Sequence, residues 1–195
     1  KVAQNNQWRN KITGEVYEPG SVFKIITAAA ALEEKAVNLT ETFTCRGFLQ
    51  VADRRISCWK TDGSHGTQTF GKAICNSCNP VFMTIAARLG PTKFMEYYEA
   101  FGLTEKTGVD FPGEEIGIAH NVENMGPVEL AVSSFGQTFK ITPLQMISAV
   151  SAVANGGKLM QPYIVKNVIS ADGVVEKTTT PSVKRQAISE ETSRT

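Results

Sequence analysis

A serine and a lysine stand three residues apart at the start of an apolar run. Ser21 and Lys24 belong to the stretch YEPGSVFKIITAAAALEE. Because residues i and i+3 lie on one face of a helix, both side chains would point into the same space. A serine hydroxyl is a weak nucleophile that needs a neighbouring base, and burial lowers the pKa of a lysine. The pair predicts Ser21 as nucleophile and Lys24 as its general base.

A purely structural interpretation of this pair stays open at this point. Ser21 would then cap a helix, and the Lys24 stem would lie along apolar surface with its ammonium in water. The motif is too short to exclude this by itself. A helix N-terminus, however, disfavours an ammonium and offers free N–H groups to an oxyanion, which suits the chemical interpretation.

A second polar group lies on a tight corner between two predicted helices, at 69–75 and 81–89. The corner contains Ser77-Cys78-Asn79 and is followed by Pro80. By itself the corner is compatible with an Asx-type turn that has only a structural role. Its sequence surroundings favour a different interpretation.

The two motifs and long stretches around them resemble the class B, or monofunctional, penicillin-binding proteins. Transpeptidase domains of that family carry Ser-x-x-Lys, Ser-x-Asn and Lys-Thr-Gly in this order. The resemblance runs from about Tyr17 to Val165 and includes HGTQTFGKAICNSCNPVFMTIAARLG, FGLTEKTGVDFPGE and VSSFGQTFKITPLQMISAVSAVANGGKLMQPYIV. The form Asn-Ser-Cys-Asn-Pro looks closest to sporulation and division transpeptidases of spore-forming Gram-positive bacteria.

The resemblance implies a fold and an activity. The fold is mixed α and β, of the serine β-lactamase/transpeptidase type, with an antiparallel sheet packed with helices and a helical subdomain; this chain supplies mainly the helical part. The activity is D,D-transpeptidation of peptidoglycan stem peptides ending in D-Ala–D-Ala, with β-lactams acylating the same serine. Ser21 would be acylated, Lys24 would take its proton, Ser77 would relay that proton, and Asn79 would hold the substrate amide. The acyl transfer needs no cofactor.

The third motif departs from the family pattern. Lys106-Thr107-Gly108 lies in FGLTEKTGVDFPGE, which in the family is a separate structural loop. We expect the functional Lys-Thr-Gly on a strand beyond Thr195, so that residues 1–195 form one incomplete transpeptidase domain with no internal boundary. Gly136-Gln137-Thr138 also stands where the family usually has Gly-Gln-Gly.

Composition and charge narrow the class of protein. A net charge of +1 with scattered basic residues argues against nucleic-acid binding.

The family resemblance implies a parent protein anchored by an N-terminal helix, facing the cell wall outside the cytoplasm and associated with the wall-synthesis machinery. Two alternative functions are a β-lactam receptor, which tends to carry Ser-x-Val where Asn79 stands, and an inactive structural fragment. A serine β-lactamase is disfavoured because no Glu-containing loop for deacylation is found.

The four cysteines all fall between positions 45 and 78, which favours a local site. Paired ligands spaced by two residues are typical of zinc. One interpretation is therefore a structural zinc held by Asp62, His65, Cys75 and Cys78, with Cys58 as a fifth candidate. The others are a redox-active disulfide such as Cys58–Cys78, and simple buried thiols.

The remaining patterns predict the elements that position these residues. The opening segment 1–18 is expected to be extended or a hairpin with a turn at Thr13-Gly14, and 38–59 to form two strands. Helices are expected at 92–101 and at 143–154, the latter capped by Thr142. Asp172-Gly173 is typical of a hairpin turn. His120 is expected to be a solvated or capping residue.

Overall fold

The computed structural model describes residues 7–195. The α-helices are α1 (Lys11–Gly14), α2 (Lys24–Glu33), α3 (Phe70–Cys75), α4 (Asn79–Ala100), α5 (Pro127–Ser133), α6 (Pro143–Ala154) and α7 (Glu190–Arg194), with 3₁₀ turns at Gly20–Phe23 and Val122–Asn124. The strands are β1 (Thr42–Cys45), β2 (Phe48–Val51), β3 (Arg54–Ser57), β4 (Gly66–Thr69), β5 (Lys158–Met160), β6 (Asn167–Ile169), β7 (Val175–Thr178) and β8 (Val183–Gln186). Within this range no helix combines the length and the apolar composition that crossing a membrane requires.

The strands form antiparallel pairs, and helices pack between and beside them. β1 pairs with β4, β2 with β3, β5 with β8 and β6 with β7. The mixed α and β class with antiparallel pairing is confirmed. The pair β1–β4 matters most for function, because it brings Cys45 opposite Gly66, next to His65.

Helix α2 occupies the centre of the core. Its alanines at 28–31 are all buried, together with Lys24 and Ile26. Ala29 and Ile26 pack with the C-terminal half of α4 and with α6, whereas Ala28 packs with β1, α3 and the first half of α4. Because alanine side chains are small, two hydrophobic clusters approach this helix from both sides. The apolar run after Lys24 is therefore an interior helix.

Helix α4 is interrupted where the sequence predicts a break between two helices. Gly90 has a φ of +72° and a non-helical ψ of 166°, and Pro91 follows it. Proline lacks an N–H and its ring clashes with the preceding turn, which bends the helix at this point. The predicted boundary between the helices at 81–89 and 92–101 is confirmed as this kink.

Helix α6 is also confirmed, together with its cap. The Gln145 amide N–H donates to Thr142 Oγ1 at 3.1 Å, and the Thr142 N–H donates to Gln145 Oε1 at 2.9 Å. This reciprocal arrangement satisfies N–H groups that the first turn of a helix leaves free. Pro143 takes the first helical position, where its missing N–H costs nothing.

Other sequence-based expectations are corrected by the structure. Thr13 and Gly14 do not form a turn in an extended segment but end helix α1, which begins after Asn10, whose side chain accepts from the Ile12 N–H. The remainder of that expectation, residues 1–6, lies outside the described residues. The segment 38–59 contains β1, β2 and β3, one strand more than predicted. Asp172-Gly173 does join two paired strands, β6 and β7.

Within the copy of Lys-Thr-Gly at 106–108, Thr107 and Gly108 bind a carboxylate of their own loop. Glu114 accepts hydrogen bonds from the Thr107 N–H at 2.8 Å, the Thr107 hydroxyl at 2.5 Å and the Gly108 N–H at 3.1 Å. Thr107 and Glu114 are both buried. This loop is closed upon itself, which agrees with its expected structural role.

Replacing Glu114 tests that role. We expect Glu114→Ala to lower the free energy of unfolding by about 2–3 kcal/mol, because two N–H groups and a hydroxyl lose their acceptor in a buried place. Glu115→Ala is the matched control, since that side chain is 57% exposed and only 3.8 Å from Arg9 in a surface ion pair. It should cost less than about 0.5 kcal/mol in the same thermal unfolding measurement. Equal losses in both variants would contradict the structural role of this loop.

Candidate active site

Ser21 and Lys24 stand at the junction of a 3₁₀ turn and helix α2. Ser21 lies in the turn Gly20–Phe23 and is exposed, and Lys24 is the first residue of α2. Gly20 has a φ of +59°, a conformation that glycine adopts without steric cost. Ser21 is therefore not a helix cap as the structural interpretation required; no side-chain capping bond starts this helix.

The Lys24 amine collects oxygen atoms from three residues. Its Nζ lies 3.2 Å from Ser21 Oγ, 2.8 Å from Ser77 Oγ, 2.7 Å from the Ser77 carbonyl oxygen and 2.6 Å from Asn79 Oδ1. Only 4% of Lys24 is exposed. The four residues that the sequence motifs single out therefore meet around one buried nitrogen.

Burial lowers the pKa of Lys24 to about 8, against an opposing influence of Cys58 and Cys78. The neutral amine has two N–H groups and one lone pair. The Ser77 carbonyl and Asn79 Oδ1 can only accept, so they take the two N–H groups. The lone pair is then free to accept the proton of a serine hydroxyl. This arrangement suits a general base beside Ser21.

The corner between α3 and α4 presents Ser77 at a strained position. Ser77 has a φ of +48°, which is uncommon for any residue other than glycine. Its conformation is held by the Ser77 N–H donating to the Ile74 carbonyl at 2.9 Å and the Cys78 N–H donating to the Ala73 carbonyl at 3.0 Å. Such outliers concentrate at active sites because the surrounding structure has to maintain them.

Cys78 links this corner to a second cluster of side chains. Sγ of Cys45, Cys58 and Cys78 and a ring nitrogen of His65 all lie within 4.8 Å of one another. Cys45 ends β1, Cys58 follows β3, and His65 precedes β4, so three strand ends converge on the corner. The three cysteines are buried free thiols.

The electrostatic environment of the cluster differs between its members. Burial raises the pKa of Cys78 to about 12. Burial alone would also raise the pKa of Cys45, but the backbone N–H groups of His65 and Gly47 lower it below its ordinary value. Burial and the neighbouring Lys60 and Lys24 lower the pKa of His65. A neutral imidazole is the form in which histidine binds a metal.

The predicted metal ligands are only partly brought together. Cys58, His65 and Cys78 lie in the cluster, whereas Asp62 and Cys75 lie outside it and are exposed. Cys75 is the last residue of α3, and the turn after it directs Cys78 inward, so the two cysteines of Cys-x-x-Cys face different surroundings. Cys45 takes the fourth place. The suggested Cys58–Cys78 disulfide would join two members of the same cluster.

The family model for the penicillin binding protein transpeptidase domain matches residues 1–195. The chain belongs to this family. Stage V sporulation protein D from Bacillus subtilis is 48% identical over 190 residues, which are 95% of this chain and 29% of that protein. The chain thus spans less than a third of this curated relative.

Solved transpeptidase structures superpose on the chain over nearly its whole length. The D,D-transpeptidase domain of a peptidoglycan glycosyltransferase from Eggerthella lenta has a TM-score of 0.89 at 28% identity, covering 98% of this chain and 51% of that one. Penicillin binding protein 3 from Mycobacterium tuberculosis, in complex with ampicillin, has a TM-score of 0.88 at 26% identity, covering 100% and 43%.

Sequence reasoning missed two residues beside this transpeptidase-family site. Cys45 is not predicted as a ligand, because it is 20 residues from His65 in the sequence and only the pairing of β1 with β4 brings the two residues together. The sequence does not predict that Trp59 lies beside the site either. Its indole N–H donates to the Asn76 carbonyl at 3.0 Å, and its ring lies 5.6 Å from that of His65. Trp59 thus joins the cluster to the corner that carries Ser77.

Proposed function

We propose that the chain carries the nucleophile and proton-transfer groups of a peptidoglycan D,D-transpeptidase. Ser21 attacks the carbonyl of the D-Ala–D-Ala peptide bond, D-alanine leaves, and an amine of a second stem peptide resolves the acyl-enzyme. The observation that supports this most strongly is the Lys24 amine, held at once near Ser21 Oγ, Ser77 Oγ and Asn79 Oδ1. β-Lactams acylate the same serine in this proposal.

The first step is proton removal from the nucleophile. The lone pair of neutral Lys24 accepts the Ser21 proton while Oγ bonds to the carbonyl carbon and the carbonyl oxygen takes up negative charge. The turn Gly20–Phe23 runs directly into α2, and the N-terminal end of this combined helical segment, where Ser21 lies, favours negative charge nearby. Lys24 is then an ammonium in a buried place, with three acceptor residues around it.

The second step returns that proton to the leaving amine. Ser77 Oγ, 2.8 Å from Lys24 Nζ, can accept a proton from the ammonium and donate its own to the D-alanine nitrogen. Asn79 uses its oxygen toward Lys24, and its amide makes only a long contact of 3.5 Å with the Ser57 carbonyl. Its N–H groups are thereby available to a substrate carbonyl.

We propose that the substrate carboxylate does not bind to the Lys-Thr-Gly copy at 106–108. In the Lys-Thr-Gly at 106–108, Thr107 and Gly108 already donate to Glu114. We therefore assign carboxylate binding to a second Lys-Thr-Gly strand outside residues 1–195, in keeping with the smaller span of this chain against its relatives. The parent protein is proposed to be membrane-anchored, to face the cell wall outside the cytoplasm, and to work with the wall-synthesis machinery.

Labelling with a fluorescent penicillin tests the nucleophile. In the full-length protein we expect the adduct on Ser21, and no label in Ser21→Ala, because Ser21 is exposed and its Oγ lies 3.2 Å from the Lys24 amine that accepts its proton. Ser77→Ala is the matched control: it removes the proton relay but leaves Ser21, so its adduct should form more slowly at the same residue. Peptide mapping checks both. An adduct on Ser77, with Ser21→Ala still labelled, would contradict the assignment.

The acylation rate should depend on pH through Lys24. With a pKa of about 8 the amine is an ammonium below that pH and neutral above it. Since only the neutral amine accepts a proton, the acylation rate constant should rise about tenfold between about pH 7 and pH 9 and then level off. Stopped-flow acylation with a chromogenic β-lactam measures this. A flat profile would exclude Lys24 as the base.

We further propose that the cluster of Cys45, Cys58, His65 and Cys78 holds a structural zinc ion. Three thiolates and one imidazole are a common tetrahedral ligand set for this metal. In such a site a sulfur and a nitrogen ligand lie about 3.6 Å apart. Cys58 Sγ and His65 Nδ1 are separated by 3.6 Å. The ion would tie three strand ends to the corner that carries Ser77, with no part in the acyl transfer.

Elemental analysis of protein purified under reducing conditions tests the metal. We expect about one zinc per chain, lost in Cys78→Ser and Cys45→Ser, and a lower melting temperature after chelation because the corner loses its cross-link. Cys75→Ser is the matched control, since this exposed cysteine lies outside the cluster, and it should keep its zinc. Metal-free wild-type protein whose melting is unaffected by a chelator would leave the disulfide or the plain thiols as the explanation.

A further inference from the structure

Thr138 has a backbone conformation that a β-branched residue rarely adopts. Its φ is +70°, within the left-handed region. In that region a β-branched side chain is a genuine outlier, because its Cβ crowds the backbone. Gly136, two residues earlier, has a φ of +82° but carries no such strain. The surroundings of Thr138 must therefore hold it in place.

The Thr138 hydroxyl is the centre of a small hydrogen-bond network. It donates its one proton to the Gln137 carbonyl at 2.6 Å. Its remaining neighbours must then donate to it: the His120 ring N–H at Nε2, 2.9 Å away, and the Ser133 hydroxyl, 3.3 Å away. Ser133 is fully buried, so loss of the Thr138 oxygen would leave its hydroxyl without this partner.

The segment around Thr138 runs beside the turn that carries the nucleophile. The Thr138 N–H donates to Glu18 Oε1 at 3.1 Å, and the Gly20 N–H donates to the Gly136 carbonyl at 2.9 Å. Tyr17 and Ile141 exchange two backbone hydrogen bonds of 3.0 Å each. The chain from 17 to 20 is thereby paired with the chain from 136 to 141, and Ser21 follows directly.

The same segment also reaches the base. The Thr27 hydroxyl of helix α2 donates to the Ser134 carbonyl at 2.8 Å, and Lys24 Nζ lies 5.8 Å from the centre of the Phe135 ring. Residues 134–141 thus form a second wall near the base, in addition to the Ser77 corner. Within this wall, the Thr138 hydroxyl is hydrogen-bonded to His120 and Ser133, which lie outside the segment 134–141.

We propose that Thr138 is a positioning residue for the nucleophile: its hydroxyl, bonded to His120 and Ser133, holds residues 136–141 against the turn that carries Ser21. This inference builds on the proposed acylation of Ser21. It assigns a role to the threonine at a position where glycine would be free of strain. The positioning of this turn depends on the Thr138 hydroxyl and not on the backbone hydrogen bonds alone.

Two conservative changes separate the hydroxyl from the shape of the side chain. Thr138→Val keeps the branched side chain and removes the oxygen, whereas Thr138→Ser keeps the oxygen and removes a methyl group. His120→Phe removes the donor on the other side of the network. We expect Thr138→Val and His120→Phe to behave alike and Thr138→Ser to resemble the wild type.

Amide hydrogen exchange in the full-length protein gives the first readout. In Thr138→Val and His120→Phe, the amides of Tyr17 and Gly20 should exchange about three- to tenfold faster, as expected when one hydrogen bond of the network is lost. The Cys78 amide, in the Ser77 corner, should not change. Unaltered exchange at Gly20 in Thr138→Val, or equal acceleration in Thr138→Ser, would overturn the proposal.

Acylation by penicillin gives the second readout. The acylation rate constant should fall about three- to tenfold in Thr138→Val, whereas the dissociation constant of the non-covalent complex stays the same, because a displaced Ser21 affects bond formation and not binding. A change in the dissociation constant alone would contradict a positioning role. If the wild-type protein were not acylated at Ser21, the proposed function would fail, and the exchange experiment would still decide whether Thr138 holds the turn.

Discussion

A single buried amine organises the functional part of this molecule. The Lys24 side chain ends in an ionisable amine, yet only 4% of the residue is exposed. Its burial is tolerated because oxygen atoms of Ser21, Ser77 and Asn79 surround the nitrogen. The same burial lowers the pKa of the amine, so the requirement for stability and the requirement for a base are met by one arrangement.

Two segments of the chain approach this amine, and each is built differently. The Ser77 corner is a short turn between helices, backed by the cysteine and histidine cluster. The wall at 134–141 is an irregular segment that pairs with the nucleophile turn by backbone hydrogen bonds. Both contain a non-glycine residue with positive φ, Ser77 in one and Thr138 in the other. Strain in both segments is consistent with a site held rigid by its surroundings.

Much of this arrangement was accessible from the sequence. The family motifs predicted that Ser21, Lys24, Ser77 and Asn79 lie together, and helix signals predicted α6 and the break near Gly90. The exact cluster ligands were not accessible, because β1 and β4 bring Cys45 beside His65 only after long-range strand pairing. The two-residue spacing predicts Cys75 and Cys78 as ligands of one metal, but the turn after α3 directs the two side chains to different surroundings. Helix α1 was missed since its one turn depends on the Asn10 cap rather than on periodicity.

The loop at 106–114 has a consequence for the binding of acidic ligands to this chain. Thr107 and Gly108 hold a carboxylate that belongs to the same short loop, so the effective concentration of that carboxylate is on the order of millimolar or above. A free peptide terminus would have to displace Glu114 from two N–H groups and a hydroxyl in a buried place. Thr107 and Gly108 are thus occupied by a side chain of the same loop, and their hydrogen bonds to Glu114 hold the loop together.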